Sequence, residues 1–400
     1  KETEIKKISN KKKLSNVLKH FLFLKQNKYF FKDTYLSNNN LLKIFLKLKH
    51  FNHEKRLNFK AKNEIDLNSR NLFFKKYSNN KKDFYSLVIE LVSENIPIIY
   101  LEDFKKLHDL VKKKYNENIF KSIFTSNAYA HDDIFKITTA YNVEKGSKLI
   151  IGQHGGNDGT CKLSSIENHQ IKIADIFLSW GWKKKNHSNI FPIGNFLCNG
   201  KKISYNKNGY GLVVSTQVPK YSYRLFSMPL SSQWLDYFEE QKKFYNNLSS
   251  NIQDKLIFRI NNIDYGWNEA ERLKEISSNI KINKKSSLEK LLKHSRIHIA
   301  TYNGTVFLET LYYNFPTIIF WNSDLFELND EAIKYFNILK SAGIFFDNPL
   351  KAAEKLCSVW DNIDEWWNNK DLQNKKNQFC KKYNFINNNL IDQMVKKLKN

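Results

Sequence analysis

Proline and glycine are scarce, with 6 and 13 residues in a chain of 400. That excludes collagen-like and Pro/Gly-rich low-complexity designs. It also argues against an all-β chain, which needs a turn every 8–12 residues or so. Cysteine is scarce too: Cys161, Cys198, Cys357 and Cys380 are scattered, with no CxxC pair. A disulfide framework and a zinc knuckle are therefore excluded, and a reducing, cytoplasmic setting is expected. No apolar run reaches the ~20 residues of a membrane span, and no secretory signal is recognisable. The chain opens on Lys1 rather than Met, so a natural N-terminus cut away ahead of it is an expectation.

What is present is positive charge and aromatic carbon. Lys and Arg outnumber Asp and Glu by 65 to 40, a net charge of +25, and aromatics make up 14%. Residues 1–60 hold 16 Lys and Arg against 4 Asp and Glu, a net of +12. Such a field attracts anionic lipid, nucleic acid or phosphorylated substrates. An AT-rich genome, with its excess of Lys, Asn and Ile codons, produces part of the same bias. Segments such as Val17–Leu24 and Leu41–Phe51 alternate Leu and Phe with Lys at helical spacing, and Tyr29, Phe30 and Phe31 interrupt the lysines. Residues 1–82 are thus expected to be a basic, aromatic, helical segment. It would either meet an anionic membrane surface through residues 1–60 or pack on its own domain. No nucleic-acid motif is visible, so no specific nucleic acid is expected.

Four hundred residues imply two domains. From Asp83 onward, short apolar strands alternate with amphipathic helices, the signature of βα units and a parallel sheet. Strands are expected at Ile96–Leu101, Ser122–Ser126, Leu149–Gln153 and Ile176–Trp180, with helices at Phe84–Ser93, Glu102–Asn116 and His131–Tyr141. The polar stretch Asn199–Gly209 is the best linker. A second series follows, with strands at Gly211–Thr216, Lys255–Ile260, Arg296–Thr301 and Thr317–Trp321. Its helices include Ser231–Ser249, Thr305–Tyr313 and Lys351–Asn369. The expected domains are 83–205 and 206–375. A helix over 376–400 crosses back to the first.

In open parallel sheets, ligands bind beyond the carboxyl ends of strands, and three segments place unusual residues there. Gln153-His154-Gly155-Gly156-Asn157-Asp158-Gly159-Thr160 follows an apolar strand. Its glycines let backbone approach a ligand, and its N–H groups can hold an anion. His154 is placed to act as acid or base. Asp158 and Glu167 are the nearest carboxylates, candidates for the base or for stabilising a cationic sugar carbon. An ordinary glycine turn with a solvent-facing histidine explains the same residues equally well. The second segment, Thr301-Tyr302-Asn303-Gly304-Thr305, leads into a helix bearing Glu309. That geometry holds phosphate at a helix N-terminus, with Thr305 as cap or phosphate donor and Glu309 available for ribose hydroxyls. Plain capping is the competing explanation. The third is Arg259, at a strand end ahead of Asp264-Tyr265-Gly266-Trp267, where a guanidinium can clamp phosphate or carboxylate. Trp267 is expected to pack. His131-Asp132-Asp133 opens a helix, and no metal pattern is found, so neither metal nor cofactor is expected.

Several segments carry a resemblance: 123–137 (IFTSNAYAHDDIFKI), 148–160 (KLIIGQHGGNDGT), 174–182 (ADIFLSWGW), 263–267 (IDYGW), 301–322 (TYNGTVFLETLYYNFPTIIFWN) and 364–367 (DEWW). Over residues 83–385 the chain resembles a family of bacterial transferases, first named from leptospiral genomes, encoded in surface-polysaccharide loci. More remotely it is similar to capsule-type glycosyltransferases that use CMP-activated Kdo or nonulosonates. Residues 1–82 match poorly. The resemblance implies a GT-B-like α/β fold, two Rossmann-type domains facing a cleft. It implies a nucleotide site at 301–305 and Glu309, a facing catalytic loop at 153–160, and metal-independent transfer. One departure stands out: where relatives carry an acid after the histidine of an ExHE-like stretch, this chain has Glu167-Asn168-His169-Gln170.

The expected activity is transfer of a sugar from a nucleotide-activated donor to a glycan or lipid-linked glycan acceptor, peripheral to the inner face of the cytoplasmic membrane. By analogy the donor is a CMP-linked acidic sugar, whose carboxylate would need Arg259, Lys284 or Lys162. The alternatives are transfer of a polyol phosphate from a CDP-alcohol, as in teichoic-acid polymerases, and a non-enzymatic basic protein binding nucleic acid or membrane.

Overall fold

The structure is a computed structural model that describes residues 28–50, 57, 59–61, 64–78, 83–115, 119–222 and 226–400. In chain order, the first elements are β1 (Tyr29–Lys32), α1 (Asn38–Leu48), α2 (Leu67–Tyr77), α3 (Phe84–Asn95), α4 (Phe104–Tyr115), β2 (Ser122–Thr125), α5 (Ala128–His131), α6 (Asp133–Val143) and β3 (Lys148–Gly152). Then come α7 (Ser165–Ile173), β4 (Ile176–Ser179), β5 (Ile190–Pro192), β6 (Tyr210–Val214), α8 (Gln233–Asn246), α9 (Ser250–Gln253), β7 (Leu256–Arg259), α10 (Glu269–Ile276), β8 (Lys281–Asn283), α11 (Leu288–Lys293) and β9 (Ser295–Ala300). The last are α12 (Thr305–Tyr312), β10 (Thr317–Phe320), α13 (Asp330–Ser341), β11 (Phe345–Phe346), α14 (Pro349–Val359), α15 (Ile363–Trp367), α16 (Lys370–Tyr383) and α17 (Leu390–Lys399). The strands make two sheets, β1-β2-β3-β4-β5 and β11-β10-β9-β6-β7-β8. The chain is therefore α/β with two parallel sheets. Every residue of β2 and of β10 is buried, as parallel strands covered on both faces require.

Two compact units emerge from the contacts. One takes the described parts of Lys1–Thr34 and Leu41–Gly152, with Val395–Asn400; the other takes Tyr35–Asn40 and Gln153–Met394. In the first, β1 lies parallel to β2, with Tyr29 opposite Ser122. Phe30 stacks on Phe120 at 5.2 Å and Phe31 meets Phe45 edge-on at 5.1 Å. In the second, Leu212 and Val214 of β6 pack with Ile203, Leu291, Leu292 and Phe315.

Helix starts follow local chemistry. Asp83 caps α3, accepting from Ser86 N–H at 2.8 Å, and Asp132 caps α6, accepting from Phe135 N–H at 2.9 Å. Asn348 caps α14, which has Pro349 in its first turn. Each arrangement satisfies N–H groups that a helix leaves open.

Four expectations need correction. Tyr29, Phe30 and Phe31 are not a lipid-facing interruption of a helix: they are the buried core of β1, between 4% and 7% exposed. Val17–Leu24 lies outside the described residues. Ile96–Leu101 is not a strand, because Pro97 starts a single 3-10 turn at Ile98–Tyr100; a short apolar run does not by itself distinguish strand from turn. The 199–209 stretch is no free linker, and the compact units do not divide there. Ile203 sits in the core, the Tyr205 hydroxyl bonds Asp364, and Asn206 N–H donates to Ser295 O at 2.8 Å. Finally, the helices expected over 351–369 and 376–399 are each broken in two, at Trp360–Asn362 and Asn384–Asn389. Among the described residues, no helix is long and apolar enough to cross a membrane.

Candidate functional site

All the loops singled out in the sequence lie in the second unit, and two of them touch. The Gly156 N–H donates to Thr305 Oγ1 at 3.1 Å. A Cβ on Gly156 would stand 2.3 Å from the Gly304 carbonyl oxygen. Asn303 Nδ2 donates to Thr160 Oγ1 at 3.0 Å. The expected domains put the two turns in opposite halves of the chain; they belong instead to one compact unit. They abut because Gly156 has no side chain to collide with the Gly304–Thr305 backbone.

The 153–160 loop is held from within. Gln153 is fully buried. Its Oε1 accepts from Trp180 N–H and Trp182 Nε1, both at 2.8 Å, and its Nε2 donates to Gly155 O at 2.8 Å. Every polar atom of that amide is occupied, so Gln153 is scaffolding. Asn329 closes the far end, Nδ2 donating to Gly159 O at 2.8 Å and its N–H to Thr160 O at 2.9 Å.

Beneath the loop lies a buried acid pair. Asp158 and Glu167 are 3% and 2% exposed. Ser164 caps α7, accepting from Glu167 N–H at 3.1 Å. The Glu167 carboxylate accepts from Gly159 N–H at 2.5 Å and pairs with Lys184. Asp158 Oδ2 accepts from Gln170 Nε2 at 2.8 Å. Burial, and then the neighbouring Glu167 charge, push the Asp158 carboxyl up to about 8; two carboxylates in one dry site do not both ionise readily. His154 stands half-buried above them, its ring stacked on Tyr35 at 6.2 Å. Burial drives its imidazole down to about 4, against the opposing pull of a hydrogen bond to Gln170. At neutral pH it is uncharged, the form of a base.

The second loop caps the six-stranded sheet. Thr301 is buried, donating to Val214 O at 3.1 Å and accepting from the Tyr237 hydroxyl at 2.5 Å. Asn303 is buried against Thr160. Tyr302 lies over Gly304, where an added Cβ would be 2.1 Å from its Cε2. Gly304, not Thr305, is the residue ahead of α12, and it makes no side-chain cap. Thr305 Oγ1 is instead the acceptor for the other loop. Glu309, one turn into α12, is pushed up to about 7 by burial, while the charges of Lys201 and Arg259 pull it down. Arg259 ends β7 as expected, and its charge is also felt by Tyr302 and His298. The charges of Lys201 and Arg259 thus act on Glu309, which lies one turn into the helix that follows β9.

Lys162 is committed elsewhere, pairing with Glu327 at 2.6 Å on the surface. Lys284 lines an open depression of about 770 Å³ with Ala270, Glu271 and Lys274. Trp267 packs as expected, stacked on Trp234 at 4.8 Å.

Three features escaped the sequence. Glu269, 1% exposed, accepts from Ser215 Oγ at 2.6 Å and from the Gln217 amide. Burial raises its carboxyl to about 7. Its only sequence signal is an acid just after the Asp264 turn, whose carboxylate gathers the N–H groups of Gly266, Trp267 and Asn268. Lys184 was one lysine in a run of three. His298, the polar residue inside β9, is fully buried with Nδ1 3.1 Å from Thr310 Oγ1.

The fold is mixed α/β with two parallel sheets, and the glycine turns lie beyond the carboxyl ends of its strands, where ligands bind in open parallel sheets. The model of the LIC12162 family transferase matches residues 1–398. The chain belongs to that family, and the match takes in the first 82 residues, where the resemblance read from the sequence was poor. No curated protein matches. Among solved structures, the chain is similar to the glycotransferase of kitacinnamycin at 10% identity, over 74% of this chain and 81% of that one, with a TM-score of 0.40. It is similar to Arabidopsis thaliana UGT89C1 complexed with UDP at 11%, over 75% and 78%, TM-score 0.43. It is also similar to WaaG, a glycosyltransferase involved in lipopolysaccharide biosynthesis, at 8%, over 74% and 95%, TM-score 0.38.

Proposed function

We propose that this transferase is a GT-B-type glycosyltransferase, moving a sugar from a nucleotide-activated donor to a bacterial surface glycan. The observation that carries the proposal is the contact of the two glycine turns at the start of α12, Gly156 N–H on Thr305 Oγ1, with Glu309 one turn further on under the charges of Lys201 and Arg259. The departing nucleotide phosphate accumulates negative charge. Arg259, Lys201 and the N–H groups opening α12 are placed to stabilise it. The Glu309 carboxyl is placed to accept from ribose hydroxyls. His154, neutral and half-buried, takes the proton of the acceptor hydroxyl. Asp158, its carboxyl raised by burial, and Glu167, held by Lys184 and the Gly159 N–H, act behind it as buried groups rather than as exposed bases. The donor is a CMP-linked acidic sugar of Kdo or nonulosonate type, an assignment supported by the family resemblance. Arg259 is the cation for its carboxylate, since Lys162 is already paired. The reaction needs no metal, and the enzyme works at the inner face of the cytoplasmic membrane. The test is a thermal-shift screen of CMP, CDP, UDP and GDP. Stabilisation by CMP alone supports the acidic-sugar donor; no response to any nucleotide refutes the proposal.

A further inference from the structure

We propose that Tyr237 is the positioning residue of the nucleotide loop Thr301–Thr305, a hydroxyl brace that ties this loop to the end of the neighbouring strand; this rests on the loop holding the donor's phosphates. β6 and β9 are adjacent and parallel, and their pairing ends at Val214 and Ala300. Beyond that pair side chains take over from the backbone ladder. The Thr301 hydroxyl donates to Val214 O at 3.1 Å. A threonine hydroxyl has one proton, so in the 2.5 Å contact with Tyr237 the phenol is the donor. The Tyr237 oxygen in turn accepts from Thr216 N–H at 3.0 Å. One chain of donors therefore runs from Thr216 N–H through Tyr237 and Thr301 to Val214 O, and it fastens the two strand ends together. Burial pushes the Tyr237 phenol well above its ordinary value, so the proton stays in place to be donated.

Trp234, three residues earlier on α8, donates from Nε1 to Thr216 O at 3.3 Å. One face of α8 thus holds both polar groups of the Thr216 backbone. The loop that Tyr237 braces has turned its polar side chains inward. Thr301 is committed to Val214 and Tyr237, Asn303 Nδ2 to Thr160 Oγ1, and Thr305 Oγ1 to the Gly156 N–H. What the loop offers an anion is its main chain, the N–H groups that open α12. A main-chain site has no rotamers with which to correct itself, so its precision depends on what fixes the backbone behind it. Thr301 serves as a strut rather than as a ligand contact, and Tyr237, buried behind it, acts through it.

Hydrogen exchange of the full chain, read by mass spectrometry on peptides covering 302–307, tests the brace without substrate. Tyr237→Phe removes only the hydroxyl and is expected to speed exchange there by about 3- to 10-fold, the size of one hydrogen bond. Thr301→Val breaks the same chain from its other end and is expected to match it, with the double variant no faster than either single one. Phe244→Leu is the control: it thins the core under the same helix, where Phe244 stacks on Phe320 at 4.7 Å. It should lower Tm and leave exchange at 302–307 at the wild-type rate. CMP, CDP, UDP and GDP are then titrated calorimetrically into the same proteins. A nucleotide that the wild type binds should bind Tyr237→Phe about 3- to 10-fold more weakly and Phe244→Leu equally well. Unchanged exchange in Tyr237→Phe, additive effects in the double variant, or a lowered Tm with undiminished affinity overturns the proposal; if Tyr237→Phe does not fold, Thr301→Val decides. If the wild type binds none of the four, the glycosyltransferase assignment fails and the exchange rates alone judge the brace.

Discussion

Replacing Gly156 with alanine tests the joined turns. A Cβ there would lie 2.3 Å from Gly304 O, 2.5 Å from Gly304 C and 2.8 Å from Thr305 Cα. All three are backbone atoms, so no rotamer change relieves the contact. Ordinary contact begins near 3.4 Å, so one loop must retreat by about 1 Å, which breaks the Gly156–Thr305 hydrogen bond. Overpacking of this kind costs roughly 1–3 kcal/mol. In a unit of this size, each kcal/mol lowers Tm by about 2–4 °C. Gly155→Ala is the control: its Cβ would meet only the Asn157 side-chain oxygen, at 2.9 Å, which can swing away. Differential scanning calorimetry should give a drop of several degrees for Gly156→Ala and little for Gly155→Ala. A displacement of about 1 Å between catalytic groups also costs up to ~100-fold in rate, so turnover should fall in the same order. Equal Tm and equal turnover in the two variants would refute the packing argument.

Three further outcomes follow from the site. Glu269, ordinarily near 4.5, is raised to about 7 in the fold. A raised carboxyl favours the folded state while protonated, and that contribution is lost as pH climbs between those values. Glu269→Gln should remove roughly 3 kcal/mol of this decline, seen as a flatter dependence of urea midpoint on pH; an unchanged slope would exclude Glu269 as its source. His154→Ala should lower kcat by about 100- to 10,000-fold with the donor that binds, and unchanged turnover would remove the histidine from the mechanism. Arg259→Met should weaken nucleotide binding by about 10- to 150-fold, the loss of a charged hydrogen bond, measured by calorimetric titration; undiminished affinity would place the phosphates elsewhere.

The strands of the second unit were legible because each is a short apolar run bounded by turn residues, as in Leu256–Arg259 and Thr317–Phe320. The loops beyond them were legible from their glycines. Tyr29–Lys32 was not, since a strand of four residues set among lysines has no period of its own; pairing with β2 decides it. The contact of Gly156 with Gly304 joins residues 148 positions apart, and no local pattern encodes it. Charge states were equally hidden. The sequence does not show that Lys184 and the Gly159 N–H hold the Glu167 carboxylate. Nothing local in the sequence marks Glu269; burial and its bond from Ser215 set it apart.

The most direct test of sugar transfer follows phosphorus by NMR while the enzyme consumes a CMP-linked acidic sugar or a CDP-polyol with a surface-glycan acceptor. The account predicts that only the CMP-sugar is consumed, that CMP is released, and that the glycan product contains no added phosphorus. Consumption of the CDP-polyol with phosphorus retained in the product, or no consumption of either donor, would contradict it.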